Sequence, residues 1–375
     1  LCSQKHTSHN LLEYFTMTID VAILGATGAV GQRFIQLLEN HPWFRVAEVV
    51  ASERSSHKTY AEATTWVLTG SIPTAVAGLT VKPLDADLTS RVVFSALPTD
   101  AAKEVEPRLA SKGHFVFSNA STYRMASDIP ILLPEINAEH AKLVEVQQKN
   151  RGWSGAIVTN SNCTAAPLVM ALKPLLVFEP TLLHVVSMQA VSGAGYPGVA
   201  SLDILDNVVP FIKNEEDKLN SEPRKMLGSF RNGQIEELEI KVSAACNRVP
   251  VLDSHLICVM AQFAQQPTIE EIIEAWDTFQ APDPVPTLPS APAKPLVYTA
   301  AADRPQPRRD REAGAGMTTT IGRLRPDEAF GGVQFIALSH NTIRGAAGCS
   351  ILNAELLVAE GYIDEPTAAL TAVLA

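Results

Sequence analysis

A cysteine, a histidine and an arginine stand in settings suited to covalent catalysis. Cys163 lies within TNSNCTAAP, residues 159–167, after polar residues and at the start of the apolar helical run APLVMALKPLL. The dipole at a helix N-terminus lowers a thiol pKa and raises the thiolate fraction. Cys163 is therefore expected to be a nucleophile. Most isolated cysteines are small core residues, and that is the expectation for Cys246, Cys258 and Cys349, which sit in apolar or small-residue runs. A thiolate acting on an aldehyde needs a group that removes a proton and returns it, and histidine has the pKa for that. Among nine histidines, His255 ends RVPVLDSH (248–255), seven residues after Arg248, an arginine able to bind a carboxylate bidentately. By spacing alone, a satisfied, partly buried histidine remains open.

Gly25, Gly28 and Gly31 follow one apolar run and open another. Missing side chains there let backbone N–H groups and the helix dipole approach a pyrophosphate. The spacing is GxxGxxG, and a purely structural turn is the alternative. The end of the next strand bears on which dinucleotide. An NAD site usually has Asp or Glu there for the ribose 2′-OH, whereas ASERSSHK (51–58) offers hydroxyls at Ser52 and Ser55 and cations at Arg54 and Lys58. These suit a 2′-phosphate. NADP is expected over NAD, with Glu53 the contrary sign and a solvated charged loop the alternative.

These groups need elements to position them. Residues 18–24 read as a strand, 25–31 as a glycine turn, and QRFIQLLEN (32–40) as a helix with an apolar stripe. Strands are expected again at 45–51, 91–97 and 114–120, with a helical segment at 101–111 between the last two. The alternation implies a doubly wound parallel sheet of Rossmann type. Past about residue 160 the pattern changes to longer alternating strands at 182–191, 235–244 and 255–263, expected to form a second, mixed α+β domain. The Pro- and Ala-rich stretch 280–295 and PQPRR (305–309) read as irregular connections, at the surface or a subunit contact. Residues 344–361 read as a helix returning to the first domain. The expected division is 17–160, completed by 344–375, for nucleotide binding and 161–343 for catalysis and dimerisation. Residues 1–16 are polar and patternless, and read as an extension. No internal repeat is found.

A length of 375 residues favours two domains. Apolar content of 46% with 19% charged residues indicates a soluble globular chain without membrane spans. The net charge of −10 argues against nucleic-acid partners. Five scattered cysteines, none in a CxxC pair, indicate neither a zinc site nor a disulfide framework, and fit a reducing cytoplasm.

Five separated motifs then converge. GATGAVG (25–31), SNC (161–163), QAVSGAGYPG (189–198), NRVPVLDSH (247–255) and SHNTIRGAAG (339–348) together resemble the aspartate-β-semialdehyde dehydrogenase family in its archaeal and fungal-like branch. The resemblance spans residue 17 to the C-terminus. It implies that Cys163 attacks the carbonyl, Gln189 holds the intermediate and His255 is the acid/base. Arg248 would bind the substrate carboxylate, Glu215 its ammonium, Lys218 phosphate or substrate, and Arg124 phosphate. NADP contacts are expected at Gly25, Thr27, Gly28, Ala29, Val30, Gly31, Ser52, Arg54, Ser55, Ser95, Leu97, Pro98, Ser192, Gly193, Asn341 and Thr342. Taken alone, NEEDK (214–218) reads more simply as a charged helix face. Ser254 and His57 stand where the family usually has glycine.

The implied reaction interconverts L-aspartate 4-semialdehyde and L-4-aspartyl phosphate, with NADP and inorganic phosphate, through a thioester on Cys163 and with no metal, in biosynthesis of the aspartate-family amino acids. A homodimer or homotetramer joined through the second domain is implied too. The nearest rival is the same chemistry on N-acetyl-γ-glutamyl phosphate or a malonyl thioester, where Glu215 would find no ammonium. A short-chain reductase needs a YxxxK pair, and none of the six tyrosines has a lysine four residues on. A non-catalytic NADP-binding sensor would leave Cys163, Gln189, Arg248 and His255 as coincidence.

Overall fold

The computed structural model describes residues 18–364. The expected extension 1–16, Cys2 and the end of the 344–375 segment lie outside them. Two six-stranded sheets dominate. The first contains β1 (Ile19–Leu24), β2 (Phe44–Val50), β3 (Val81–Lys82), β4 (Val92–Ser95), β5 (Phe115–Ser118) and β6 (Ala156–Thr159). Its order is β3-β2-β1-β4-β5-β6, with every pair parallel. That is the doubly wound arrangement, whose ligand crevice opens where the order reverses between β1 and β4.

The strands form because their runs of Val, Ile and Phe are buried on both faces, as parallel strands covered by helices must be. α1 (Ala29–Leu37) and α2 (Thr99–Ser111) follow the first and fourth strands. α1 sends Phe34 onto Phe94 of β4, ring centroids 5.0 Å apart. Gly25 turns the chain with φ +71°, and a Cβ on Gly31 would stand 2.2 Å from the Gly25 carbonyl oxygen. Helix and turn can meet this closely only without side chains there.

α3 (Ala165–Leu172) is buried throughout, which its AAPLVMAL sequence permits. The second sheet contains β7 (Pro180–Gln189), β10 (Lys241–Arg248), β11 (His255–Phe263), β12 (Leu296–Thr299), β13 (Thr319–Asp327) and β14 (Gly332–Ser339). Its order is β10-β7-β11-β14-β13-β12, mixing parallel and antiparallel pairs. The expected strand at 235–244 is not continuous. β8 (Ser229–Arg231) and β9 (Gln234–Glu236) form a separate hairpin, and β10 begins only at Lys241. The consecutive Glu236 and Glu237 shift the apolar alternation by one residue where β9 ends, and strict alternation resumes from Leu238 into β10.

α4 (Glu215–Met226) and α5 (Ile269–Asp277) help cover one face of this sheet, with Trp276 at 5.3 Å from Phe335. A single π-turn, Ile343–Ala347, leads into α6 (Gly348–Ala359). Ile351, Leu352 and Leu356 of α6 share a core with Val21, Phe34 and Phe94 of the first sheet. The chain thus returns to its first layer, and the π-turn runs past the crevice on the way. Among the described residues, no helix is long and apolar enough to cross a membrane.

Candidate active site

Strand register assembles half of the site. Arg248 lies opposite Gln189 in the β10–β7 pair, Gln189 opposite His255 in the β7–β11 pair, and His255 opposite Ser339 in the β11–β14 pair. Directly opposed residues project from the same face, so a guanidinium, an amide and an imidazole stand side by side at one edge of the second sheet. The other half comes from the loop after β6, which carries Asn160, Ser161, Asn162 and Cys163. Between them lies a cleft of about 430 Å³.

His255 Nε2 and Cys163 Sγ are 3.2 Å apart, and the Ala190 N–H donates to Nδ1 of the same ring at 3.1 Å. The expectation of a lowered thiol pKa is overturned. Burial first, and the Glu215 carboxylate second, push the Cys163 thiol up to about 12, against the pull of Arg124, Lys218 and Arg248. Asn162 Oδ1 has already taken the N–H groups of Thr164 and Ala165, at 2.8 and 3.0 Å, so the first helical donors are committed elsewhere. Burial, then Arg248, takes His255 down to about 4. The resting pair is thus a neutral thiol beside a neutral imidazole.

Opposite charges flank the pair. Arg248 is buried, its Nη1 donating to the Ala190 carbonyl at 2.7 Å. Glu215 accepts from Asn162 Nδ2 at 2.8 Å and pairs with the Lys218 ammonium at 3.0 Å. Burial alone would raise this carboxyl, but Lys218, the Asn162 bond and His255 hold it below its ordinary value. The charged-face reading of NEEDK is overturned for Glu215, which is 4% exposed and points into the cleft. Arg124 lines the same cleft, with Nη1 on Glu222 and Nη2 on the Asn119 carbonyl, both at 2.9 Å. Its Nε is buried without a partner. Gln189 Nε2 donates to Ser187 at 3.1 Å.

The expected dinucleotide contacts divide. Val30, Leu97, Pro98, Ser192, Gly193, Asn341 and Thr342 line the cleft beside Cys163. Gly25, Thr27, Gly28, Ala29 and Gly31 form the turn and first turn of α1, whose N-terminus has no side-chain cap and no acidic residue. That leaves its N–H groups open to an anion. Ser52 and Arg54 are exposed beyond β2, while Ser55 is buried. Ser95, at the end of β4, is fully buried, with its hydroxyl near Glu106. Gly193 has a second role in the packing, since a Cβ there would stand 2.8 Å from Arg248 Nη1 and 3.1 Å from His255 Nε2. The two departures from glycine, His57 and Ser254, both have positive φ, +65° and +94°. Among the described residues no group of His, Cys, Asp and Glu is arranged to hold a metal, and Cys163, Cys246, Cys258 and Cys349 are free.

Sequence reasoning missed Asn162, Glu222, Lys225 and Gly345. Asn162 adjoins Cys163 and is visible in the sequence as a neighbour only. Glu222 and Lys225 follow Glu215 at helical spacing on one face of α4, a signal masked by the polar composition around them. Gly345 of the π-turn packs on Cys163, where an added Cβ would meet Cys163 Cβ at 2.7 Å.

Comparison with known proteins places this geometry. A family profile described as "Semialdehyde dehydrogenase, NAD binding domain" matches residues 20–144, and "Semialdehyde dehydrogenase, dimerisation domain" matches 172–344. The aspartate-semialdehyde dehydrogenase of Archaeoglobus fulgidus is 51% identical over 348 residues, 92% of this chain and 100% of that protein. A malonyl CoA reductase (NADP) from Metallosphaera sedula is 37% identical over 355 residues, 93% and 99% of the two chains. The crystal structure of aspartate semialdehyde dehydrogenase with NADP from Candida albicans superposes with a TM-score of 0.84 at 39% identity, over 92% of this chain and 100% of that one.

Proposed function

Because this chain belongs to the aspartate-semialdehyde dehydrogenase family and is an oxidoreductase of that type, we propose that it interconverts L-aspartate 4-semialdehyde and L-4-aspartyl phosphate with NADP and inorganic phosphate, through a thioester on Cys163. The observation carrying this reading is the 3.2 Å Cys163–His255 contact between a buried arginine and a buried carboxylate. A substrate with a carboxylate and an ammonium matches Arg248 and Glu215 by charge. The Lys218 ammonium, 3.0 Å from Glu215, already occupies the kind of position a substrate ammonium would take.

In the reductive direction Sγ of Cys163 forms a bond to the acyl carbon, the bond from that carbon to the phosphate oxygen breaks, and phosphate leaves toward Arg124. His255 takes up the thiol proton as sulfur attacks. Bound NADPH supplies the hydride that reduces the resulting thioester. His255 delivers the proton to the oxygen of the sulfur adduct and takes it back as the carbon–sulfur bond breaks, so that the aldehyde departs and the proton returns to Sγ of Cys163. Gln189, beside His255, supplies an amide donor to the same oxygen. The open N-terminus of α1 fits the pyrophosphate, and Ser52 and Arg54 fit the 2′-phosphate of NADP.

Aspartyl phosphate as substrate points to biosynthesis of the aspartate-family amino acids. A homo-oligomer joined through the second domain is part of the proposal. Support comes from the profile's description and from the second sheet's alternation, which leaves Val186, Met188, Leu256 and Met260 only half-buried. Malonyl thioester reduction is the competing reading, since a relative carries that name. Glu215 weighs against it, because malonate offers no ammonium.

Wild-type and Cys163→Ala proteins assayed side by side for NADP reduction by L-aspartate semialdehyde provide the test. Activity that needs phosphate or arsenate and disappears in the variant supports the reading. An equally active variant would sink the thioester mechanism, and activity confined to malonyl substrates would change the substrate.

A further inference from the structure

α4 carries more charged groups on its buried face than Glu215. Seven residues on, two helical turns later, Glu222 emerges on the same face, and Lys225 follows after another turn. All three are almost fully buried. The two oxygens of Glu222 serve different segments: Oε1 accepts from Arg124 Nη1 at 2.9 Å, and Oε2 accepts the backbone N–H of Asn162 at 2.6 Å. Asn162 is the residue before the nucleophile. Lys225 directs its ammonium at the carbonyls of Arg124, Ala126 and Ile129, at 2.6, 2.7 and 2.7 Å, which accounts for its three donors.

We propose that Glu222 is a positioning residue, which with Lys225 ties the Arg124 loop to the Cys163 loop and fixes the spacing between phosphate and nucleophile. The inference rests on the reading of Arg124 as the phosphate-holding group. Arg124 has Nη1 on Glu222 and Nη2 on the Asn119 carbonyl, while its buried Nε has no partner. A guanidinium held this way keeps one edge fixed and offers a donor to an oxyanion. The first sheet supplies both loops, and neither hydrogen-bonds the other's functional side chain. At their bases the loops are joined by Asn160 Nδ2 donating to Asn119 Oδ1 at 2.9 Å, and farther out, between Arg124 itself and the residue before Cys163, they are bridged by one carboxylate of a helix from the other layer.

A buried ion pair is weak evidence for stability, because packed apolar residues often serve as well. What it does provide is geometry. A phosphate oxygen must leave, or attack, along the line to a carbon bonded to Sγ, and small misplacements of such groups cost rate steeply. Glu222 joins the two ends of that line. Lys225 acts at one end only, by holding the backbone on which Arg124 is mounted.

Steady-state kinetics of the full-length enzyme in the aldehyde-oxidising direction give the test, using inorganic phosphate as the probe. Arg124→Ala first checks the underlying reading: an unchanged KM for phosphate there removes the reading, and the proposal with it. With that variant impaired, Glu222→Gln is expected to raise the phosphate KM at least ~10-fold, leaving the KM values for NADP and semialdehyde within about 2-fold. The Arg124→Ala/Glu222→Gln double variant should have a phosphate KM close to that of Arg124→Ala alone, since both act through one group. Lys225→Met should give the same selective change, which keeps the test open if Glu222→Gln folds poorly. A normal phosphate KM in folded Glu222→Gln or Lys225→Met, or a uniform loss in every kinetic constant that tracks a lowered Tm, overturns the proposal.

Discussion

His255 presents Nε2 to Cys163 Sγ at 3.2 Å while the far side of its ring accepts the Ala190 amide. With Nδ1 accepting, neutral His255 carries its proton on Nε2 and offers an N–H toward the sulfur and toward any oxyanion formed beside it. Burial holds the thiol up to about 12 and the imidazole down to about 4, so neither group is charged near neutral pH. Moving the thiol proton onto Nε2 requires the ring to give up the Ala190 contact or the proton it holds. At rest His255 thus faces Cys163 as a donor, which is the geometry the acid half of the proposed role uses.

Alkylation of Cys163 in the free enzyme should follow from this. The rate with iodoacetamide is expected to keep rising between pH 7 and 9, because the thiolate fraction grows with pH below a raised pKa. His255→Asn should lower kcat by about 10²–10⁴-fold with substrate binding little changed. An alkylation rate already flat from pH 6 upward would mean a preformed thiolate and would contradict the neutral pair.

Gly345 should be intolerant of the smallest side chain. A Cβ there would lie 2.7 Å from Cys163 Cβ and 2.9 Å from its Cα. Gly345→Ala is expected to shift the nucleophile and reduce kcat by roughly 10²-fold while the protein stays folded. Circular dichroism together with kcat decides it; full activity would show that the π-turn can yield.

Ser254 holds φ +94° with its Oγ donating to the Ser339 carbonyl at 2.9 Å and its N–H to Asn341 Oδ1 at 2.7 Å. The hydroxyl bond offsets part of the backbone strain. Ser254→Ala keeps the strain and loses the bond, and should destabilise by about 1–3 kcal/mol. Ser254→Gly loses both and should be the more stable of the two. Chemical denaturation ranks them, and the reverse order would show that the backbone there is not strained.

Glu106 is fully buried beneath the crevice, its Oε1 accepting from Ser118 at 2.7 Å. Burial raises its carboxyl to about 7, above the 4.5 of an unfolded chain. The folded state therefore binds more protons between these values, so the contribution is full below pH 4.5 and is lost as pH rises through about 7. A shift of this size amounts to about 3 kcal/mol. Glu106→Gln should remove that component, and subtracting its stability profile from that of wild type between pH 5 and 8 measures it. A difference that stays constant across the range would rule out the titration.

Much of the architecture was legible because its signals are local. Gly25 and Gly31 sit in a turn whose close packing excludes side chains, and strand–helix alternation announces a parallel sheet whichever residues later meet across it. Cys163, Arg248 and His255 stood out through their immediate neighbours. The 235–244 run divides where Glu236 and Glu237 break the two-residue rhythm, a one-residue slip that marks the end of β9.

What the sequence determined by itself was the inventory: two kinds of layer, a cysteine and a histidine in settings suited to covalent catalysis, and oppositely charged residues near them in the motifs. Tertiary structure decided their states and partnerships. Only strand register put Gln189 between Arg248 and His255, and only burial turned an expected thiolate into a neutral thiol. The same holds for Glu222 and Lys225, drawn from a polar helix face into contact with two loops. Desolvation and hydrogen-bond partners depend on what packs around a side chain, and those neighbours come from elements far apart in the chain.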